Sequence, residues 1–377
     1  MLKVMTIVGT RPELIKMSRV IAELDKHTQH ILVHTGQNYD YELNQVFFDD
    51  LEIRKPDYFL AAAGANAAQT IALIIAKTDE IFEKESPDAV MLYGDTNSGL
   101  AVLSAKRRKI PVFHMEAGNR CFDQRVPEEI NRKVLDHLSD VNMVLTEHAR
   151  RYLLAEGIRP DTIFKTGSHM PEVLGYYLPK IHQSDVLMRL ELKSRQYFLI
   201  SAHREENVDS PKVLADFLDT LNALATEYEF PVIVSTHPRT RRRLEGFDHT
   251  SLSKKIFFSN PFGFLDYIQL QMQAFCVLSD SGTITEEASL LNLPAITIRN
   301  AHERPEGMDA GVLVMSGLKP RRVLDAVRVV TTQFSESAQP ILYVSDYSNH
   351  HVSKQIVRIV LSYVDYINRV VWSKPDE

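Results

Sequence analysis

The segment KVMTIVGTRPE, residues 3–13, sets the character of the fold. Its apolar first half has the length of a buried strand, and its charged second half has the residues of a helix start. Gly9 permits a tight turn between the two, and Pro12 suits the first turn of a helix. A strand, a tight turn and a helix in this order are the opening unit of an α/β fold.

Short apolar runs and longer amphipathic stretches alternate along the rest of the 377-residue chain. Strands are predicted at residues 4–8, 31–35, 89–93, 112–115, 141–146, 163–166, 197–201, 232–236, 256–259, 276–279 and 295–298. Helices are predicted at residues 68–82, 96–109, 213–228, 283–291 and 353–371. The alternation indicates an α/β fold with two doubly wound, Rossmann-like domains, each a parallel sheet covered by helices on both faces.

The length of the chain is comfortable for two domains. Gly167, Pro171, Gly175 and Pro179 punctuate the middle of the chain and predict a break between the halves. We therefore divide the chain into a first domain at residues 1–170, a second at residues 171–352 and a terminal helix at residues 353–377. Ligands of doubly wound folds bind outside the carboxyl ends of the strands, so we expect a site in a cleft that both domains face.

Composition excludes several classes of protein. With 43 basic and 49 acidic residues the net charge is −6, which argues against a nucleic-acid partner. No apolar run approaches the length of a membrane span, and the apolar N-terminal stretch is too short for a signal peptide. The two cysteines, Cys121 and Cys276, cannot form a disulfide framework or a zinc site on their own. We expect a cytoplasmic protein without membrane contact.

Acidic residues follow two predicted strands and open a later helix. Asp95 follows one strand, Glu116 ends the next, and Glu128 comes directly after Pro127 at a helix start. Three carboxyl groups at neighbouring strand ends and helix starts can converge on one site and perform acid–base chemistry. Helix capping is the alternative for Asp95 and Glu128, whereas Glu116 has no evident capping role.

Cationic and small residues occupy similar positions elsewhere in the chain. Arg11 stands at a helix start, where a cation is unfavourable unless an anionic ligand shares the site. In the second half His203 follows a strand, Ser281 and Gly282 open a helix, and Arg304 lies near the same edge. Free amides at such a turn bind a phosphate without a metal, although an ordinary helix cap has the same sequence pattern.

Three kinds of site are absent from the sequence. The dinucleotide fingerprint and the P-loop pattern do not occur, and no His pair or carboxylate cluster has metal-ligand spacing. The run at residues 239–243 is rich in arginine, but a solvated helix face explains it better than nucleic-acid binding. The residues therefore indicate an enzyme for a nucleotide-activated substrate that uses no metal and no cofactor.

Seven motifs, in order along nearly the whole chain, resemble the non-hydrolysing UDP-N-acetylglucosamine 2-epimerase family. They stand at residues 9–13, 94–96, 114–118, 127–132, 203–207, 280–288 and 303–306. The resemblance implies a two-domain glycosyltransferase-B fold, a homodimer, and a last helix that returns to the first domain. It also implies inversion of carbon 2 of a UDP-2-acetamido sugar by elimination and re-addition of UDP.

The family's site residues carry over to this sequence position by position. The resemblance implies catalytic roles for Asp95, Glu116, Glu128 and His203. It implies that the UDP-sugar is bound by Arg11, Lys16, Tyr267, Ser281, Gly282, Glu287 and Arg304. Within that second set, Ser281 and Gly282 match the diphosphate-binding turn, and Glu287 matches the residue at the ribose.

Departures from the common family pattern resemble one branch of it. The stretches at residues 37–41, 119–125, 205–206 and 304–309 are similar to the 2-epimerases that form UDP-N-acetyl-L-fucosamine. That similarity implies UDP-2-acetamido-2,6-dideoxy-L-talose as substrate and a product for capsule or O-antigen lipopolysaccharide synthesis. The alternatives are a UDP-GlcNAc/UDP-ManNAc 2-epimerase, a UDP-sugar glycosyltransferase, which would need an acceptor, and a non-catalytic nucleotide-sugar sensor.

Overall fold

The computed structural model describes residues 1–36, 48, 50–202, 210–236, 240–241, 244, 252–300, 303–336 and 342–375. The chain forms two compact units. Unit 1 comprises Met1–Gly175 and Asp346–Glu377, and unit 2 comprises Tyr176–Ser345. These divisions fall a few residues away from the sequence-based boundaries after residues 170 and 352.

Unit 1 is built on one parallel sheet. Its strands are β1 (Lys3–Val8), β2 (Gln29–His34), β3 (Tyr58–Phe59), β4 (Ala89–Tyr93), β5 (Val112–Ala117), β6 (Val141–Val144) and β7 (Ile163–Lys165). They lie in the order β3-β2-β1-β4-β5-β6-β7. The helices in the first part of unit 1, Met1–Gly175, are α1 (Arg11–His27), α2 (Ala67–Glu85), α3 (Val102–Arg107), α4 (Pro127–Leu138), α5 (Glu147–Ala155) and α6 (Met170–His182). Helix α6 continues into unit 2.

Unit 2 repeats this architecture. Its strands are β8 (Phe198–Ser201), β9 (Val232–Ser235), β10 (Ile256–Ser259), β11 (Cys276–Ser279), β12 (Ala295–Thr297) and β13 (Val314–Met315), parallel in the order β10-β9-β8-β11-β12-β13. Its helices are α7 (Val186–Arg189), α8 (Pro211–Tyr228), α9 (Phe264–Gln273), α10 (Thr283–Leu291), α11 (Pro305–Asp309) and α12 (Pro320–Glu336). The last helix, α13 (Val352–Val370), belongs to unit 1 and packs on α1. Within the described residues, every helix is too short or too polar to cross a membrane.

Both sheets confirm the predicted α/β fold with two doubly wound parallel sheets. In each sheet the first strand lies near the middle and the strand order reverses once, as in a Rossmann fold. The two-residue strands β3 and β13 are too short for an apolar pattern to predict. The predicted helix at residues 96–109 begins as a 3-10 helix, Asn97–Ala101, before α3.

The predicted break at residues 167–179 contains the division between the two units, which falls between Gly175 and Tyr176. The structure has a continuous helix over most of this segment, α6, with Pro179 inside it. Pro171 is the second residue of this helix. An N–H at that position has no intrahelical partner, so the proline costs the helix no hydrogen bond. Pro171, Gly175 and Pro179 therefore stand within a helix that runs from one unit into the other.

The central strands are buried on both faces. All five residues of β4 are buried, and so are all four residues of β11. Parallel sheets covered by helices on both sides require such continuous apolar runs. The adjacent strands β1, β4 and β5 end at the same edge of the sheet, and the residues that follow them lie there together.

Glu13 joins the ends of two of these central strands. Its carboxylate, in the first turn of α1, accepts hydrogen bonds from the backbone N–H groups of Gly9 and Thr10 at 2.6 and 2.8 Å. Thr96 Oγ1, in the loop after β4, donates to the other carboxylate oxygen at 2.6 Å. Burial raises the pKa of Glu13 to about 7, although these hydrogen bonds oppose the shift.

The raised pKa of Glu13 predicts a pH-dependent contribution to stability. Because the folded-state pKa of about 7 lies above the ordinary value of 4.5, the folded state binds the proton more tightly. This contribution is fully present below pH 4.5 and is lost as the pH rises through 7. Glu13→Gln removes the titration, so the variant should gain stability relative to the unsubstituted chain by up to about 3 kcal/mol between about pH 5 and pH 8.

Urea denaturation across that pH range measures the difference in the free energy of unfolding. Leu14→Val is the control, because it alters a buried neighbour in the same helix and introduces no titratable group. Its difference from the unsubstituted chain should not change with pH. An equally constant difference for Glu13→Gln would show that Glu13 has no raised pKa.

Candidate active site

Asp95 and Glu116 lie at the carboxyl edge of the unit 1 sheet. Asp95 follows β4, and Glu116 is the next-to-last residue of the neighbouring strand β5. The register pairs Tyr93 of β4 with Met115 of β5, so the residues that follow leave the sheet side by side. The topology thus brings together the two strand ends that carry these acids.

Glu116 departs from regular strand geometry. The pairing of β5 with β6 shifts by one residue between Met115 and Ala117, which makes Glu116 the extra residue of a bulge. Its φ of +61° lies in the left-handed region, which costs a non-glycine residue about 1–2 kcal/mol. Such strain persists only where the surrounding contacts hold the residue in place.

Among the described residues, Lys16, Tyr93 and Asn119 contact the Glu116 carboxylate. The Lys16 ammonium lies 3.0 Å from Oε2, and the Tyr93 hydroxyl donates to the same oxygen. The Asn119 amide donates to Oε1 at 3.0 Å. Only 6% of the Lys16 side chain and 12% of the Glu116 side chain are exposed, so water and salt screen this ion pair little.

Tyr93 and Asn119 are absent from the residues that the sequence predicted for the site. Tyr93 ends an apolar strand, where an aromatic residue usually indicates packing. Its position directly before Gly94 and Asp95 is the one signal that marks it. The contact of Asn119 with Glu116 depends on the bulge, which a residue pattern does not reveal.

Asp95 is held by the helix α4. Arg132 donates from Nε to Asp95 Oδ2 at 2.8 Å, and its Nη2 lies 2.7 Å from the same oxygen. The Asn131 amide donates to the Asp95 carbonyl oxygen at 2.9 Å. The Asp95 side chain remains 28% exposed, so this carboxylate is fixed beside a cation and still open to a ligand.

The neighbours Glu128 and Glu129, in the first turn of α4, have different environments. Glu129 is buried and accepts from the backbone N–H groups of Cys121 and Phe122 at 3.0 and 3.1 Å. Burial opposes its ionisation, but these bonds and Arg132 hold the pKa of Glu129 below its usual range. Glu128 is exposed and has no hydrogen bond or ion pair with another described residue. Glu129 therefore shapes the loop, and Glu128 faces solvent.

Unit 2 has a helix N-terminus at the predicted diphosphate turn. α10 begins at Thr283, directly after Ser281 and Gly282. Ser281 Oγ lies 3.0 Å from Thr283 Oγ1, and the Ser281 N–H donates to Ser279 Oγ at 3.0 Å. The N–H groups and the dipole at the start of a helix attract an anion, which is the property a diphosphate site requires.

Two predicted UDP-binding side chains already have partners within unit 2. Glu287 of α10 is buried and accepts a hydrogen bond from Gln271 Nε2 at 2.6 Å. The Arg304 guanidinium is also buried, 3.5 Å from Glu286 and 3.9 Å from Glu306. Gln271 was not predicted, because one glutamine in a helix gives no signal by itself.

The other predicted site residues are placed as follows. Arg11 begins α1 and Tyr267 lies in α9, and both are half-buried. His203 lies outside the described residues, as do the motif positions 37–41 and 204–207. In the part of the chain that the structure describes, no group of three or more His, Cys, Asp and Glu side chains is arranged to hold a metal ion.

The left-handed backbone of Glu116 predicts an unusual order of stability for two variants. Glu116→Gly and Glu116→Ala both remove the carboxylate and its three contacts. Because glycine adopts a φ of +61° without penalty and alanine does not, the glycine variant should be more stable by about 1 kcal/mol. Guanidinium denaturation of the two variants measures this difference. An alanine variant as stable as the glycine variant would contradict backbone strain at this position.

Comparisons with known proteins agree with this arrangement. A family model described as UDP-N-acetylglucosamine 2-epimerase matches residues 22–361. The structure of UDP-N-acetylglucosamine 2-epimerase from Rickettsia bellii is 64% identical, with a TM-score of 0.93 over 99% of this chain and 100% of that chain. The crystal structure of Methanocaldococcus jannaschii UDP-GlcNAc 2-epimerase in complex with UDP-GlcNAc and UDP is 33% identical, with a TM-score of 0.88 over 96% of this chain and 100% of that chain.

A curated relative extends the comparison to another sugar. The UDP-2,3-diacetamido-2,3-dideoxy-D-glucuronate 2-epimerase of Pseudomonas aeruginosa is 33% identical over 87% of this chain and 92% of its own length. The glycotransferase of kitacinnamycin, 11% identical with a TM-score of 0.59, shares the fold alone, which agrees with the predicted glycosyltransferase-B architecture. Because the family model spans most of the residues and the identities extend over nearly the whole length, the chain belongs to the UDP-N-acetylglucosamine 2-epimerase family, whose members are isomerases of UDP-sugars.

Proposed function

We propose that the chain inverts carbon 2 of UDP-2-acetamido-2,6-dideoxy-L-talose to give UDP-N-acetyl-L-fucosamine. UDP-sugar 2-epimerase activity follows from the family, and the proposal names the sugar. The observation that carries it is the hydrogen bond from Asn119 to Glu116, at 3.0 Å. Asn119 opens the 119–125 stretch, which resembles the fucosamine-forming branch. The loop that distinguishes this branch therefore contacts the acid to which we assign proton transfer.

UDP-GlcNAc is the second candidate substrate. The Rickettsia bellii and Methanocaldococcus jannaschii proteins are named as epimerases of this nucleotide, and the latter holds it in its crystal structure. The Pseudomonas aeruginosa relative is 33% identical, like the Methanocaldococcus jannaschii structure, and is named for a different UDP-sugar. The Rickettsia bellii structure is more similar, at 64% identity. The two relatives at 33% identity share the position of epimerisation and differ in the sugar, so the proposal rests on the loops around the acids.

The chemistry of carbon 2 determines the order of the steps. Its proton is not adjacent to a carbonyl group and is therefore not acidic in the intact substrate. Cleavage of the bond between carbon 1 and the UDP oxygen places positive charge beside carbon 2, and a carboxylate then removes the proton to leave a glycal. Addition of a proton to the other face of carbon 2 and of UDP to carbon 1 completes the inversion.

We assign the proton transfers to the acids of unit 1. Asp95, Glu116 and Glu128 are the candidates, with Glu116 oriented by the Lys16 ammonium and the Tyr93 hydroxyl. One carboxyl group must remove the proton from one face of carbon 2, and another must deliver a proton to the opposite face. Carboxyl groups held at neighbouring strand ends meet this requirement.

We assign the departing UDP to unit 2 and to cationic groups. The turn at Ser281 and Gly282, with the N-terminus of α10, would stabilise the diphosphate, and Arg11 and His203 would be further partners. Glu287 would accept the ribose hydroxyls, and its hydrogen bond from Gln271 holds it in one position. The resemblance further supports a cytoplasmic homodimer whose product serves capsule or O-antigen synthesis.

Glu128 and Glu129 form a matched pair for testing the catalytic set. Glu128→Gln should lower kcat by about 100-fold or more and leave thermal unfolding unchanged, because the side chain is exposed. Glu129→Gln should lower the melting temperature, because it weakens the hydrogen bonds to Cys121 and Phe122. Steady-state kinetics and calorimetry measure both effects. A kcat near normal for Glu128→Gln would remove this residue from the catalytic set.

The substrate is tested by incubating the purified protein with one UDP-sugar at a time in deuterated water. We expect conversion without any acceptor, deuterium at carbon 2 of the product, and a kcat/KM for the L-talose nucleotide at least about tenfold above that for UDP-GlcNAc. NMR reads both the configuration and the label. A comparable or higher kcat/KM for UDP-GlcNAc would select the second candidate, and turnover only with an added acceptor would indicate a glycosyltransferase.

A further inference from the structure

His114 lies on β5, two residues before Glu116, with only 1% of its side chain exposed. Its Nδ1 lies 2.9 Å from Asp136 Oδ1 of α4, and its Nε2 lies 2.7 Å from the carbonyl oxygen of Gly94, which begins the turn that carries Asp95. A carbonyl oxygen can only accept a hydrogen bond, so Nε2 must carry a proton.

The proton on Nδ1 follows from the other contacts of Asp136. Asp136 is fully buried, and the Arg120 guanidinium donates to its Oδ2 at 2.7 Å. The backbone N–H of Gly118 lies 3.2 Å from both carboxylate oxygens. Because both oxygens already face donors, a proton on Asp136 would oppose one of them. Asp136 is therefore ionised and acts as an acceptor toward His114.

We propose that His114 is a buried imidazolium, protonated on both nitrogens, and acts as a positioning residue that ties the Gly94–Asp95 turn to the segment around Glu116. The hydrogen bonds run from Gly94 through His114 and Asp136 to Gly118. His114 lies two residues before Glu116 and Gly118 lies two residues after it, so these bonds hold the chain on both sides of Glu116. The importance of these two acids rests on the proposed function, whereas the charge of His114 does not.

The charged groups nearest the ring favour a positive His114. Asp136 faces it from α4, and Asp95 from the loop after β4, while Arg120 of the loop after β5 contacts Asp136. Arg120 also donates to Glu156 from Nε and Nη2 at 2.8 and 2.6 Å. A neutral His114 would leave the buried Asp136 to share the charge of Arg120 with Glu156.

The direction of the pKa shift agrees with the geometry. Burial alone would lower the pKa of His114, but the hydrogen bond and charge of Asp136, the Gly94 carbonyl and the charge of Asp95 outweigh it and raise the pKa. Burial likewise acts against ionisation of Asp136, and the hydrogen bonds and charges of His114 and Arg120 hold its pKa below the usual range. Both shifts favour the ionic pair.

Side-chain nitrogen NMR on the full chain, labelled at histidine, tests the charge directly. The His114 signals are identified by their loss in His114→Asn or in His114→Gln, so either variant suffices. We expect both ring nitrogens to keep imidazolium shifts at pH values above the ordinary titration range of histidine. Shifts of a neutral ring at about pH 7 would overturn the proposal, whether or not the chain epimerises any sugar.

Kinetics test the positioning role. His114→Asn places an amide donor near the Nδ1 position and loses the bond to Gly94, so kcat should fall about 10- to 100-fold with KM for the UDP-sugar nearly unchanged. His114→Gln places its amide nearer the Nε2 position. It should keep more activity than His114→Asn, because it can still donate a hydrogen bond to the Gly94 carbonyl. The control is Phe113→Leu, a change at the adjacent buried residue of β5 that keeps every polar link.

We expect Phe113→Leu to lower the melting temperature and leave kcat unchanged. A kcat for His114→Asn and His114→Gln that equals the value for Phe113→Leu would overturn the positioning role. If the unsubstituted chain converts no UDP-sugar at all, the proposed function fails, and the NMR result still decides the charge of His114.

Discussion

The arrangement of side chains at the carboxyl edge of the unit 1 sheet depends on the ion pair between Lys16 and Glu116, which holds a strained residue in place. The bulge in β5 interrupts the regular alternation of the strand, and the backbone of Glu116 adopts a φ of +61°. This conformation costs free energy that an isolated strand would not tolerate. The ammonium of Lys16, the hydroxyl of Tyr93 and the amide of Asn119 offset that cost, because all three contact one poorly hydrated carboxylate.

Around this pair, buried polar groups connect the strand ends to each other. Glu13 joins the end of β1 to the loop after β4, and His114 with Asp136 joins that loop to β5. Buried charges of this kind add little net stability, but removing one partner leaves the other unpaired and is costly. Their effect is therefore to allow few alternative arrangements, which suits an edge where acids must keep fixed positions.

Much of the fold follows from residue patterns, because buried parallel strands require continuous apolar runs. The positions of Asp95 and Glu116 at the carboxyl edge were predictable for the same reason, since both residues stand at the ends of such runs. Tyr93, Asn119 and Gln271 were not predictable, because their contacts depend on strand register, on a bulge and on the packing of two helices. Residue types in the sequence indicate where the strands end. Only the three-dimensional structure shows which side chains contact each other there.

The same limit applies to the middle of the chain and to Arg304. Pro171 and Pro179 lie within α6, because proline is tolerated in the first turn and the rest of the helix is held by packing, and the division between the units falls within this helix. Arg304 matched a diphosphate ligand, and the structure places it beside Glu286 and Glu306, so part of its charge is already balanced within unit 2.

Positional isotope exchange tests the central claim most directly, since the claim is that the acids around Glu116 act on a substrate whose bond to UDP has broken. The substrate carries ¹⁸O in the oxygen that bridges carbon 1 and the β-phosphorus. During turnover that label should move into the non-bridging oxygens of the β-phosphate, because released UDP rotates before it adds again. In Glu116→Gln this scrambling and the inversion should both be strongly slowed. Inversion of carbon 2 by the unsubstituted chain with the label retained in the bridge would contradict the account.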